Sequence, residues 1–170
     1  AMRHAFVYRN FLLGDPAFVS NPLDQLLSED YAARIRARID LTKAAKSEDV
    51  RPGTEPHGGT ETTHYSVVDA QGNAVAVTYT INALFGAKVI AGDTGFFLND
   101  EMDDFTIKPG VANLFGLVQG KANAIAPGKR PLSSMSPTIV TKDGKTFMVL
   151  GSPGGSRIIT IVVQVILNVI

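Results

Sequence analysis

At 170 residues, 45% of them hydrophobic and 19% charged, the chain has the length of one domain and an ordinary globular composition able to bury a core. Sixteen basic residues balance sixteen acidic ones, which argues against a nucleic-acid footprint or a basic membrane-surface patch. There is no cysteine, so disulfides, thiolate zinc sites and a cysteine nucleophile are excluded; His4, His57 and His64 lack metal-ligand spacing, and no metal site is expected.

The opening residues, Ala1 to Phe6, read as the middle of a helix without a cap, and the last ones, Leu167 to Ile170, lie inside an apolar run. The expectation is a piece of a longer chain, in which a missing leader peptide carries no information. Ser28, followed by Glu29 and Asp30, offers a cap with acids in the first turn, where the helix dipole favours them. Tyr31, Ile35 and Ile39 then recur every four residues while Arg34, Arg36 and Arg38 occupy other faces. This spacing predicts an amphipathic packing helix with a solvated basic face. From residue 43 to residue 60 the pattern dissolves into loop compositions such as Arg51-Pro52-Gly53 and Pro56-His57-Gly58-Gly59. A segment that long is a linker or a functional loop.

The composition changes abruptly at Thr62. Residues 63–69 and 74–80 read as two strands joined by Ala70-Gln71-Gly72-Asn73, the second alternating small or hydroxyl residues with larger apolar ones. A second hairpin is predicted around Asp143-Gly144, between residues 137–140 and 146–150. Residues 156–170 are rich in β-branched side chains, yet Arg157, Thr160, Gln164 and Asn168 form one narrow polar stripe. This predicts a mostly buried helix, too short to span a bilayer as it stands. Helices, a hairpin, an irregular middle, a hairpin and a helix give an α+β layering.

Thr62 stands where the loop ends and a strand begins. That junction suits N-terminal nucleophile chemistry, in which a Thr hydroxyl is activated by the residue's own freed α-amine. To free the amine, the Thr62 hydroxyl must first attack the Glu61 carbonyl. The segment Thr62-Thr63-His64-Tyr65-Ser66-Val67-Val68-Asp69 resembles the processing site of bacterial gamma-glutamyltranspeptidases. Three further blocks resemble that family in the same order and at matching separations. They are Asn99-Asp100-Glu101-Met102-Asp103-Asp104-Phe105, the run from Lys129 through Ser133-Ser134 to Thr138, and Gly151-Ser152-Pro153-Gly154-Gly155-Ser156-Arg157. The likeness extends upstream through Leu13-Gly14-Asp15-Pro16 and covers essentially the whole chain.

The resemblance implies an αββα N-terminal nucleophile hydrolase sandwich of which this chain supplies the hairpins and some covering helices. Residues 1–61 would close the large subunit and residues 62–170 open the small one, with the rest of both subunits as partners. It implies Thr62 as nucleophile of self-cleavage after Glu61 and of gamma-glutamyl transfer from glutathione and similar amides to amino acids, peptides or water, without a cofactor. Thr80 would hydrogen-bond to Thr62, although as bare pattern it is a solvent-facing strand residue. Asn82, Glu101 and Asp104 would hold the substrate α-ammonium, since a buried cation needs oriented acceptors; the acidic cluster could equally be a solvated turn. Some family members carry Gln where Glu101 stands.

Ser133 and Ser134 would donate to the α-carboxylate, completed by an arginine upstream of residue 1. Gly154 and Gly155 resemble oxyanion-hole glycines, which let N–H groups approach a reacting carbonyl. An ordinary turn or a phosphate loop is the competing reading, the latter without the P-loop lysine. Residues 108–120 correspond to the lid loop, with Phe115 where many bacterial members carry a Tyr that bonds to the residue matching Asn82. The family setting implies a periplasmic or extracellular location. Two rivals stand beside this reading: a glutaryl or β-lactam acylase, against which Asp104 argues, and a folded but inert piece.

Overall fold

A computed structural model describes residues 1–46 and 61–170; the expected loop at residues 43–60 falls mostly outside them. Among the described residues the packing sorts into two units, residues 1–46 with Met102–Leu132 and residues 61–101 with Ser133–Ile170.

In the first unit, helix α1 spans Met2–Leu12, a single turn α2 Leu23–Leu26, and α3 Glu29–Arg36. Ser28 caps α3 by accepting the Tyr31 N–H on its hydroxyl at 3.1 Å, the cap expected from sequence. The helix stops at Arg36, short of Ile39. Bonds from Arg38 N to Ile35 O and from Ile39 N to Arg36 O, both 3.0 Å, wind the last residues as tighter turns and keep Ile39 half-buried on the stripe of Tyr31 and Ile35. Tyr31 meets Tyr8 of α1 edge to face, ring centroids 5.2 Å apart.

Asp15 ties the N-terminal segment to the far end of the unit. Its buried carboxylate accepts Arg130 Nε at 3.1 Å, Arg130 Nη2 at 2.8 Å and the Arg130 backbone N–H at 2.9 Å, and also accepts Ala17 N at 3.1 Å. The Arg130 fork holds the Asp15 carboxyl far below the usual carboxylate range.

In the second unit, strand β1 (Thr63–Val68) pairs antiparallel with β2 (Ala74–Tyr79), from Thr63 opposite Tyr79 to Val68 opposite Ala74. Their turn is organised by Asp69, whose Oδ1 accepts Gln71 N at 3.0 Å and Asn73 N at 2.8 Å, and whose Oδ2 accepts Asn73 Nδ2 at 2.7 Å. Strand β3 (Thr138–Lys142) pairs with β4 (Lys145–Leu150), with a register shift between Val140 and Thr141. Asp143 and Gly144 both have positive φ, 52° and 73°, as a two-residue hairpin turn that follows the strand twist requires.

The two hairpins meet. Thr146 Oγ1 donates to Gly72 O at 2.9 Å, and Gly151 lies so close beneath the His64 ring that a Cβ there would come within 2.2 Å of Nδ1.

Helix α4 (Ile158–Val169) forms where expected, led in by a 3-10 turn at Gly155–Arg157. The expectation that it is mostly buried is corrected. Ile158 and Val162 are buried, but Val163, Val165, Leu167 and Val169 are exposed. Apolar residues populate nearly every face of this helix, so composition does not mark which stripe is covered. Only the i, i+4 pair in its first turns is. Among the described residues no helix is long and apolar enough to cross a membrane.

Asp15 stays ionised in the folded state where the unfolded chain would take up a proton. Its contribution is therefore complete above the ordinary carboxylate pKa of 3.8 and is lost as pH falls through the depressed folded value. Asp15→Asn is expected to lower the unfolding temperature at neutral pH, and the gap to the parent protein should narrow steadily below about pH 4. A gap independent of pH in thermal melts between pH 7 and pH 2.5 (approximate bounds) would contradict the ionised role.

Candidate functional site

The β1–β2 register decides what stands beside Thr62. Because Thr63 faces Tyr79, the residues just outside the ladder, Thr62 and Thr80, are brought side by side, and Thr62 Oγ1 donates to Thr80 Oγ1 at 3.3 Å. Thr80 Oγ1 also accepts the Asn82 N–H at 2.9 Å, so the hydroxyl beside Thr62 is fixed from behind by a backbone donor. Asn82 is buried with φ +75°, a left-handed conformation that Asn tolerates better than most residues.

Its side chain donates to the Asp100 carbonyl at 3.2 Å, while the Asp100 carboxylate accepts Ala83 N at 2.9 Å. Asn99 Oδ1 accepts the Glu101 N–H at 3.0 Å. Thr62, Thr80, Asn82 and Asp100 thus form one hydrogen-bonded chain. In the sequence Asp100 stands only as one member of the Asn99–Phe105 block. Nothing in its local pattern distinguishes a loop-tying carboxylate from a solvated one.

The remaining residues of the second unit stand on other elements. Glu61, half-buried, precedes Thr62, and the segment that leads to it lies outside the described residues. Gly154 and Gly155 form the turn between β4 and α4, with φ of 131° and 55°, and the Gly154 carbonyl accepts Arg157 N at 3.0 Å. Ser133 and Ser134 lie in the irregular stretch that runs into β3. Ser133 Oγ accepts Met135 N at 3.1 Å, and the Ser134 carbonyl accepts the Ser136 hydroxyl at 3.1 Å.

Asp104 belongs to the first unit, at the end of a 3-10 turn over Glu101–Asp104. Its backbone carbonyl is held by two buried amides, Gln119 Nε2 at 3.1 Å and Asn123 Nδ2 at 2.7 Å. Arg9 lies near enough for its charge to be felt. Burial lowers the Arg9 pKa, and the Asp104 carboxylate opposes that shift. Arg9 Nη2 also donates to Leu132 O at 3.4 Å.

Phe115 is buried in the first unit, within a loop turned by Asn113, whose Oδ1 accepts Phe115 N at 3.1 Å and Leu117 N at 2.9 Å. The Phe ring brings apolar surface to this loop and no hydroxyl.

An α+β arrangement with paired hairpins, entered at a threonine pair, falls in the class of the N-terminal nucleophile hydrolases. The chain belongs to the gamma-glutamyltranspeptidase family, whose model matches residues 1–170. It is similar to the glutathione hydrolase proenzyme of Pseudomonas sp. strain A14, 66% identical over all of this chain and 30% of that protein. It is also similar to the proenzyme of Escherichia coli K12, 57% identical over 99% of this chain and 29% of that protein. Among solved structures it resembles a Helicobacter pylori gamma-glutamyltranspeptidase mutant, 68% identical with a TM-score of 0.62, over 63% of this chain and 57% of that one. The chain thus spans about a third of the length of the curated relatives it matches.

Gly154 carries its own structural prediction. At φ +131° an L side chain is strained, and a Cβ there would lie 3.1 Å from Ile161 Cδ1. Gly154→Ala is expected to cost about 1–3 kcal/mol of stability. Urea unfolding of the Gly154→Ala protein checks this, and an unchanged midpoint would contradict it.

Proposed function

We propose that this chain is the part of a gamma-glutamyl-transferring enzyme that contains its processing site, with Thr62 as the nucleophile. The observation that carries the reading is the Thr62–Thr80 hydroxyl pair at 3.3 Å, in a chain whose whole length matches the family.

In maturation, Thr62 Oγ1 attacks the Glu61 carbonyl carbon. The C–N bond breaks as the C–O ester forms, and the hydroxyl proton passes to the departing nitrogen. Water then hydrolyses the ester, leaving a Glu61 carboxylate and a free Thr62 α-amine. In turnover that amine takes the hydroxyl proton as Oγ1 attacks the gamma-carbonyl of a donor such as glutathione. The proton goes to the leaving amine, and water or an acceptor amino acid or peptide then resolves the ester. Thr80 orients the Thr62 hydroxyl. Gly154 and Gly155 receive the oxyanion, Asn82, Glu101 and Asp104 hold the α-ammonium, and Ser133 and Ser134 hold the α-carboxylate.

Curated relatives bear the name glutathione hydrolase proenzyme, one solved relative was captured inhibited by acivicin, and the Pseudomonas nitroreducens protein was captured with L-DON. Cutting after Glu61 makes residues 1–61 the end of one subunit and residues 62–170 the start of the other. The packing of the first unit supports a stable pair. Residues from both sides of the cut are hydrogen-bonded to each other within it, Asp15 to Arg130 and Asn10 O to Gly120 N at 2.9 Å. We place the protein in the periplasm or outside the cell, which cell fractionation tests.

The decisive comparison uses the full-length protein and a panel of gamma-glutamyl and glutaryl anilides, the latter lacking the α-ammonium. Turnover of the gamma-glutamyl donor is expected to dominate, and preference for glutaryl or β-lactam substrates would overturn the reading. Thr62→Ala is expected to lower transfer by roughly a thousandfold or more, as loss of a nucleophile does. Near-parent turnover by that variant would remove Thr62 from the mechanism.

A further inference from the structure

The first unit contains a fully buried side chain that the proposed chemistry does not use. Asn123 is 0% exposed and uses both ends of its amide. Its Nδ2 donates to the Asp104 carbonyl at 2.7 Å and to Gln119 Oε1 at 2.7 Å, while its Oδ1 accepts the Leu132 N–H at 3.0 Å. The orientation is forced by the partners, because the Asp104 carbonyl can only accept and the Leu132 N–H can only donate. Gln119, 3% exposed, adds a second amide donor to the same Asp104 carbonyl at 3.1 Å. Thr106, also buried, donates its N–H to the Asn123 carbonyl at 2.9 Å and its hydroxyl to the Gly120 carbonyl at 2.9 Å, which holds the backbone around Asn123.

One side chain therefore bridges two backbone points far apart in sequence. The first is the peptide of Asp104. The second is Leu132, the residue immediately before Ser133 and Ser134. Burying an amide is costly unless its polar atoms are partnered, and here both ends of the Asn123 amide are. An apolar side chain could fill the same volume but could not fix the two strands of backbone relative to each other.

We propose that Asn123, seconded by Gln119, is a positioning residue for substrate recognition. It sets the spacing between the segment that grips the α-ammonium and the segment that leads into the α-carboxylate grip. This inference rests on the roles given above to Asp104, Ser133 and Ser134. It makes Asn123 a determinant of how well the enzyme senses the donor's amino-acid head, without touching the donor. It assigns Asn123 no part in the bond-making at Thr62, so self-cleavage, which needs no bound donor, is expected to survive its change.

The test uses the full-length protein with two substitutions. Asn123→Asp keeps an acceptor for the Leu132 N–H and removes both amide donors. Gln119→Met keeps volume and removes one donor to Asp104, so it perturbs the site less and serves where the first variant does not mature. For each, the extent of self-cleavage reports folding, and KM and kcat are measured for gamma-glutamyl and glutaryl anilides. The expected result is a rise in KM for the gamma-glutamyl donor of about tenfold or more, the scale on which a displaced binding group is felt. The preference for the gamma-glutamyl over the glutaryl donor should fall with it.

Matured variants with an unchanged KM and an unchanged preference, whatever their kcat, would overturn the proposal. That result is distinct from failure of the functional reading, in which the parent protein itself would not turn over the gamma-glutamyl donor.

Discussion

Six consecutive residue pairs between β1 and β2 fix the position of everything around Thr62. Strand side chains alternate faces, so a slip of one residue would exchange the two faces and carry Thr80 away from Thr62. The register is set at the far end, where the Asp69 carboxylate gathers the turn with three hydrogen bonds, and is consolidated where Gly151 admits the His64 ring. His64 in turn bonds across the hairpin to Thr78 Oγ1 at 2.9 Å and along its own strand to Ser66 Oγ at 3.0 Å. A hydroxyl pair at one end of the hairpin is thus specified by a carboxylate at the other.

The first unit achieves its order differently. Its buried set includes Phe105, Phe115 and Leu117, but also Asn10, Asp15, Thr106, Gln119 and Asn123. So many buried polar groups stabilise only when satisfied, and a satisfied network specifies one arrangement more sharply than apolar packing does. Asp15 and Asn123 each join stretches distant in sequence. Asp15 is reached by Arg130, and Asn123 links Asp104 to Leu132. The consequence for function is that backbone carrying the proposed recognition residues is held by buried side chains that no ligand needs to touch.

Local signals in the sequence were enough for both hairpins, the Ser28 cap and the helix at the end of the chain, because each depends on residues within a few positions. The Asp-Gly turn imposes positive φ on its own two residues, and Ser28 meets an N–H three residues away. The candidate site is legible only through motifs shared with a family: Thr80 as bare pattern is a solvent-facing strand residue, and the hairpin makes its contact with Thr62 geometrically reasonable without requiring it. What could not be read depended on distant partners. Asn123 stands in Ala122-Asn123-Ala124, a surrounding that gives no hint of complete burial, and Asp100 resembles any loop carboxylate. The burial of α4 is illegible for the same reason: an apolar helix does not announce which face has a neighbour.

Maturation and turnover as proposed both depend on one bond, the peptide between Glu61 and Thr62. Intact-mass analysis of the full-length protein under denaturing conditions, before and after prolonged incubation, tests it most directly. Two pieces, one of them beginning at Thr62, are the predicted result. A chain cut at another bond, or an uncut chain that still transfers gamma-glutamyl groups, would contradict the account.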